Sequence, residues 1–319
     1  MHPVSTKESV HSNTLSPQEI ARSKAKEAAK LRRSLSCLVP IQPNGSKRPF
    51  FCIHPQAGVV FPYYELAFLL GEEQPFYGLQ SLGIASQIQP LTSIEEMATR
   101  YIQAVRKIQP KGPYALGGWS LGAIIAFEMA RQLQQAGESV LLVSLDGPAS
   151  STSKFINGRE IVRFLFASAL RYIWPYVFDY LKITFLATQT KQPVGEGQSN
   201  QAKLQSSSRT VEIAKAIAQK AEKAEFRQSA IRRLLPLLWA NTKAVINYKP
   251  QVYPGRMILL RSRTHFGNFR QEPTLGWCNL VQGEVEIIKV PGHHLNILRQ
   301  PNVQVLAEKL RMCLEQLED

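Results

Sequence analysis

Gly117-Gly118-Trp119-Ser120-Leu121-Gly122 follows the apolar run Pro113-Tyr114-Ala115-Leu116 and leads into Ala123 to Leu133, whose apolar spacing is helical. A Gly-x-Ser-x-Gly between a strand and a helix makes a turn too tight for side chains at its flanks, so glycine is needed there. Such a turn lifts one hydroxyl clear of the sheet and aims a helix N-terminus at it. Ser120 is therefore the candidate nucleophile. On its own the string also fits an ordinary surface turn, so its weight comes from what surrounds it.

Outward from that turn, short buried-strand runs alternate with helical stretches. Phe50 to Ile53, Phe76 to Leu79, Tyr114 to Trp119 and Val140 to Leu145 read as strands. Tyr64 to Leu70, Ile94 to Ile108 and Ala123 to Ala136 read as helices between and after them. Continuous apolar strands alternating with helices imply a mostly parallel sheet covered on both faces. The sheet resumes at Met257 to Leu260 and Val285 to Val290, and an amphipathic helix from Val303 to Leu317 closes the chain. Residues 150–248 interrupt the alternation and read as an inserted helical lid. Its first part, 155–187, is aromatic and helix-like, broken by Pro175; residues 188–210 are rich in Gln, Ser, Gly and Pro; 211–248 return to helix with a kink expected at Pro236. Residues 1–47 read as an arm. Ser16-Pro17-Gln18-Glu19 opens one exposed helix, from Pro17 to Leu35, and Pro40, Pro43, Asn44 and Gly45 read as a linker. Residues 48–319 are then one α/β domain.

At 44% hydrophobic and 19% charged over 319 residues, the chain can bury a large core. No uncharged apolar run reaches membrane-spanning length, and Met1 to Lys7 opens no signal-peptide core, so a cytoplasmic protein without a transmembrane segment is expected. The four cysteines, Cys37, Cys52, Cys278 and Cys313, lack metal-ligand spacing, so reduced thiols and no metal site are expected. The net charge of +14 is uneven. Residues 1–49 hold nine Lys/Arg against three Glu, and residues 151–249 hold sixteen against six Asp/Glu. A basic arm and a basic lid on a nearly neutral body imply an acidic partner. No nucleic-acid-binding motif accompanies the charge, so nucleic acid is not expected.

A serine hydroxyl needs a base, and the base needs a carboxylate to orient it. Asp146, Asp179 and Asp319 are the only aspartates. Asp146 ends a buried strand, where open α/β sheets place their chemistry, and is the candidate acid; a turn or cap before Gly147-Pro148 is the plainer reading. The next strand ends in Ser262-Arg263-Thr264-His265 with no acid beside it. Val290-Pro291-Gly292-His293-His294 supplies the base after the last strand. Gly-x-His spacing favours His294, leaving His293 as a solvated neighbour or lid contact. His54 precedes the serine, out of order for a base, and reads as a residue shaping its own loop. The oxyanion needs backbone N–H groups beside Ser120: Leu121, directly after it, and Gln56, in the loop His54-Pro55-Gln56-Ala57-Gly58.

In combination, Pro49-Phe50-Phe51-Cys52-Ile53-His54-Pro55-x-x-Gly58, Gly118-Trp119-Ser120-Leu121-Gly122, Leu145-Asp146-Gly147 and Val290-Pro291-Gly292-x-His294 resemble the thioesterase domains of nonribosomal peptide synthetases and polyketide synthases. Asn241, Ala244, Tyr248 and Tyr253-Pro254-Gly255 are also similar to that pattern. The resemblance runs from about Leu38 to Leu314. Ala57 and Ala123 depart from it, each standing where glycine is frequent. It implies an α/β-hydrolase fold and an acyl or peptidyl chain delivered as a thioester on the phosphopantetheine arm of an acidic carrier protein. It further implies attack by Ser120, with release by hydrolysis or cyclisation and no cofactor of the chain's own. No carrier-protein serine motif precedes the domain, so a free-standing or split enzyme is expected. A lipase or carboxylesterase working at a membrane surface is the competing reading, carried by the aromatic run from Phe164 to Phe185 with Arg163, Arg171 and Lys182. The third reading is a binding protein that kept the fold, against which the complete Ser–Asp–His set argues.

Overall fold

A computed structural model describes residues 37–85, 89–149, 224–264 and 272–317. Among the described residues, seven strands form one sheet in the order β1-β3-β2-β4-β5-β6-β7. These are β1 (Leu38–Gln42), β2 (Phe50–Ile53), β3 (Phe76–Leu79), β4 (Tyr114–Trp119), β5 (Val140–Leu145), β6 (Met257–Thr264) and β7 (Val285–His293). The helices are α1 (Tyr64–Leu70), α2 (Leu82–Ala85), α3 (Ile94–Ile108), α4 (Leu121–Gln135), α5 (Ala224–Asn247) and α6 (Asn302–Glu315). All neighbouring strands run parallel except β1, which pairs antiparallel with β3.

Strand residues alternate between two cores, as the pleat requires. Phe51, Ile53, Leu116 and Leu142 face one core with α3 and α4; Phe50, Cys52, Val143 and Leu145 face the other with α1 and α6. Burial on both faces explains why these strands read as unbroken apolar runs rather than alternating ones. Helix α3 begins where Ser93 accepts a hydrogen bond from the Glu96 N–H and carries Glu95 and Glu96 in its first turn, favourable at the positive end of the helix.

Two expectations need correction. Leu38–Gln42, which includes Pro40 of the expected linker, is the edge strand β1. Proline lacks an N–H and is tolerated at a sheet edge, and the register shifts between Pro40 and Gln42. The Gln42 side chain then donates to the Glu72 and Gln74 carbonyls at 2.6 and 3.2 Å, tying the strand's end to the turn after α1. The last strands are also longer than expected: β6 reaches Thr264, and β7 reaches His293, so His293 lies in a strand rather than a loop. Pro236 lies inside the continuous helix α5. The arm helix at 17–35, the aromatic run at 164–185, most of the basic lid, and His265 lie outside the described residues. Among the described residues no helix is long and apolar enough to cross a membrane.

Candidate active site

Strand order reverses between β2 and β4: the chain steps from β2 to β3 on one side, then to β4 on the other. Ligand sites of open α/β sheets lie beyond the carboxyl ends of the strands at such a point. The loop after β2 carries Gln56 and the turn after β4 carries Ser120. Pairing of these strands ends at Ile53 and Gly118. The Tyr63 hydroxyl closes the gap beyond, donating to the Ile53 carbonyl at 2.6 Å and accepting the Trp119 N–H at 3.1 Å.

Ser120 has φ 59° and ψ −121°, a conformation that non-glycine residues rarely hold. The surroundings impose it. A Cβ on Gly118 would meet the backbone of Gly122, and one on Gly122 would meet the Ile53 carbonyl oxygen. The flanking glycines thus let α4 lie directly against β2 and β4. The Leu121 N–H is the first of α4 and points with the free donors of the helix start.

Trp119 and Leu145 are register partners on β4 and β5, so Ser120 and Asp146 leave the sheet side by side. Asp146 is buried, also at positive φ, 56°. Its carboxylate accepts the Ser262 N–H at 2.6 Å on Oδ1, and the Ser262 hydroxyl at 2.9 Å on Oδ2. Nδ1 of His294 lies 3.1 Å from the same Oδ2 and 3.0 Å from the Asp146 carbonyl oxygen. In the neutral ring, the tautomer with its N–H at Nδ1 serves both acceptors and makes Nε2 the proton-accepting nitrogen. His294 is held from the Ser120 side as well: the Trp119 indole N–H donates to its carbonyl at 2.9 Å, and the two rings lie 5.6 Å apart. The Asp146 turn is braced by Gly147, whose carbonyl accepts the Trp277 indole N–H at 2.8 Å and the Ser144 hydroxyl at 3.1 Å.

His293 faces its own turn, its N–H donating to Asn296 Oδ1 at 2.7 Å and its ring accepting the Leu295 N–H at 3.2 Å. His54 is buried. Its ring meets the Pro55 carbonyl at 2.9 Å and the Tyr101 hydroxyl at 2.8 Å, and burial pushes its pKa down to about 4 despite the bond to Pro55. It is neutral at pH 7 and holds the loop. Gln56 in that loop is gripped by α5: its side-chain amide donates to Thr242 Oγ1 at 2.9 Å, and Asn241 donates to the Gln56 carbonyl at 2.8 Å.

The sequence reading missed Ser262. Its signal was present as a strand end with no acid where one could stand. The reach of Asn241 to Gln56 spans 185 positions and has no local signal.

The family described as Thioesterase domain matches residues 48–161. Over those residues the chain is similar to thioesterase domains. The "Dimodular nonribosomal peptide synthase" of Bacillus subtilis (strain 168) is 43% identical over 121 residues, 38% of this chain and 5% of that protein. The "Chondramide synthase cmdD" of Chondromyces crocatus is 30% identical over 300 residues, 90% of this chain and 7% of that protein. The chain thus spans a small fraction of these relatives. A crystal structure of the NocB thioesterase domain, in covalent complex with a fluorophosphonate nocardicin G analogue, aligns with a TM-score of 0.57 at 23% identity. That alignment covers 87% of this chain and 99% of that one. The chain has the α/β-hydrolase fold, and the loop after β2 and the turn after β4 lie inside the matched residues.

Proposed function

We propose that the protein is a serine thioesterase that releases an acyl or peptidyl chain from the phosphopantetheine thioester of a carrier protein. The observation that carries this reading is the 3.1 Å contact between His294 Nδ1 and Asp146 Oδ2, made beside the strained turn that presents Ser120. The thioesterase-domain match and the synthetase relatives support the substrate class.

In this mechanism Ser120 Oγ bonds to the thioester carbon while its proton passes to His294 Nε2. Negative charge grows on the carbonyl oxygen and is met by the N–H groups of Gln56 and Leu121. Losing one such donor costs about 10²–10³ in rate. Asp146 stabilises the imidazolium that forms. Collapse breaks the C–S bond, and the proton on Nε2 goes to the departing pantetheine thiolate. Water, or an amine or hydroxyl of the same chain, then gives its proton to His294 Nε2 and bonds to the acyl carbon; the bond to Ser120 Oγ breaks, and that oxygen takes the proton back from Nε2. The chain brings no cofactor of its own to this sequence; the phosphopantetheine belongs to the carrier, whose acidic charge the excess Lys and Arg of residues 1–49 and 151–249 would complement.

The test is mass analysis of intact protein mixed with a carrier-bound acyl thioester. The wild type gains one acyl mass and Ser120→Ala gains none while keeping its thermal midpoint. Turnover retained in Ser120→Ala, or preference for simple oxygen esters with no response to the carrier, would overturn the reading.

A further inference from the structure

We infer that Ser262 is a positioning residue for the acid, holding the Asp146 carboxylate so that its charge, rather than the neighbouring carbonyl, faces His294. The inference rests on the assignment of Asp146 and His294 proposed above. Nδ1 of His294 has two acceptors at nearly the same distance, the Asp146 carbonyl at 3.0 Å and the carboxylate at 3.1 Å. Only the second carries the charge that stabilises an imidazolium. The choice between them depends on the carboxylate's rotation about its own bond, and Ser262 sets that rotation from both sides. Its N–H takes Oδ1 at 2.6 Å, and its hydroxyl takes Oδ2 at 2.9 Å. Oδ2 is therefore shared between Ser262 and His294. Ser262 is itself buried and sits on β6, the strand paired with β5, so the seat is built into the sheet rather than into a loop.

Removing the hydroxyl leaves Oδ1 held but takes away the Ser262 bond that fixes Oδ2 where it faces His294. His294 would keep its orientation through the Asp146 carbonyl, and substrate contacts would be untouched. The expected signature is a fall in kcat without a rise in KM. A hydrogen bond to a charged group is worth roughly 10- to 100-fold in an equilibrium or rate.

The probe is an acyl thioester of N-acetylcysteamine, a short mimic of the pantetheine end, hydrolysed by the full-length protein. Ser262→Ala is expected to lose about 10-fold or more in kcat with KM within about twofold, and Ser262→Thr, which keeps the hydroxyl, to recover most of it. In an Asp146→Asn background the further change Ser262→Ala should cost less than about threefold, because residues acting as a unit are not additive. Should Ser262→Ala fail to fold, Ser262→Cys, of similar shape but a weak donor, carries the same expectation. Wild-type kcat in Ser262→Ala beside a crippled Asp146→Asn would overturn the role of Ser262 alone. An equal loss from Ser262→Ala in both backgrounds would overturn it in favour of general structural damage. Full activity in Asp146→Asn would sink the acid assignment and this role together.

Discussion

The side-chain amide of Asn241 donates to the main-chain carbonyl of Gln56 at 2.8 Å, joining helix α5 to the loop after β2. Both residues are buried. Thr242 on the next position takes the Gln56 side chain, so α5 grips Gln56 by its backbone and its side chain together. The last helix of the inserted region is in this way fastened to the loop expected to receive the oxyanion.

Asn241→Ala should consequently act on both stability and turnover. The Gln56 carbonyl would lose a buried donor, at a cost of about 1–3 kcal/mol. The loop would also lose the bond that fixes its peptide beside Ser120. Urea melts should show the stability loss, and steady-state kinetics a lower kcat with little change in KM. A melt and a kcat equal to those of the wild type would show that the bond fixes nothing.

His294 and His293 make opposite predictions. His294 is the ring on Asp146, whereas His293 bonds within its own turn. His294→Ala should lose about 10³-fold or more in kcat, the scale of a lost general base together with the charge it carries. His293→Ala should retain kcat within about tenfold and lose mainly stability. Parallel assays of the two variants on one thioester give the answer, and the reverse ranking would move the base to His293.

Gly147 stands where the acid's turn meets the elbow. A Cβ there would run into the Ala123 methyl and come within 2.6 Å of the Ser120 carbonyl oxygen. Gly147→Ala should cost about 1–3 kcal/mol, as overpacking typically does, and depress kcat by shifting Asp146 relative to Ser120. Adding Ala123→Gly removes the nearest obstacle and should recover part of both. Thermal melts and kinetics of the single and double variants measure this, and absence of any recovery would place the strain elsewhere.

His54 makes stability depend on pH. Burial holds its pKa at about 4 in the folded protein, below the ordinary 6.5. The unfolded chain therefore binds more protons than the folded one between those values, and stability falls as pH drops through that window. The contribution reaches at most about 3 kcal/mol, all of it present at pH 7 and lost by about pH 4. Denaturant melts at pH 7 and pH 4.5 should show the slope, and His54→Gln should flatten it. An unchanged slope in that variant would remove His54 as the source.

Much of the architecture was legible in residue order, because its signals are local. Buried parallel strands must be apolar on both faces, so β2, β4 and β5 stood out as short apolar runs. The elbow was legible because a tight turn between strand and helix admits few sequences. Helix α3 was read with the same ends the structure has, its periodicity being strong and its start capped by Ser93. Strand β1 was not, because Pro40 is a turn signal whose meaning changes at a sheet edge, and only the position of β3 makes that edge.

By itself the sequence determined which residue types were available for chemistry and the order in which they arrive: a serine between glycines, an aspartate at a strand end, a pair of histidines late in the chain. The tertiary structure alone decided which histidine turns toward Asp146, that Ser262 seats the carboxylate, and that Asn241 holds the loop of Gln56. Those partners lie 116 to 185 positions apart along the chain. Hydrogen bonds are directional and reach only about 3 Å, so such choices exist only once strands and helices have been brought into register.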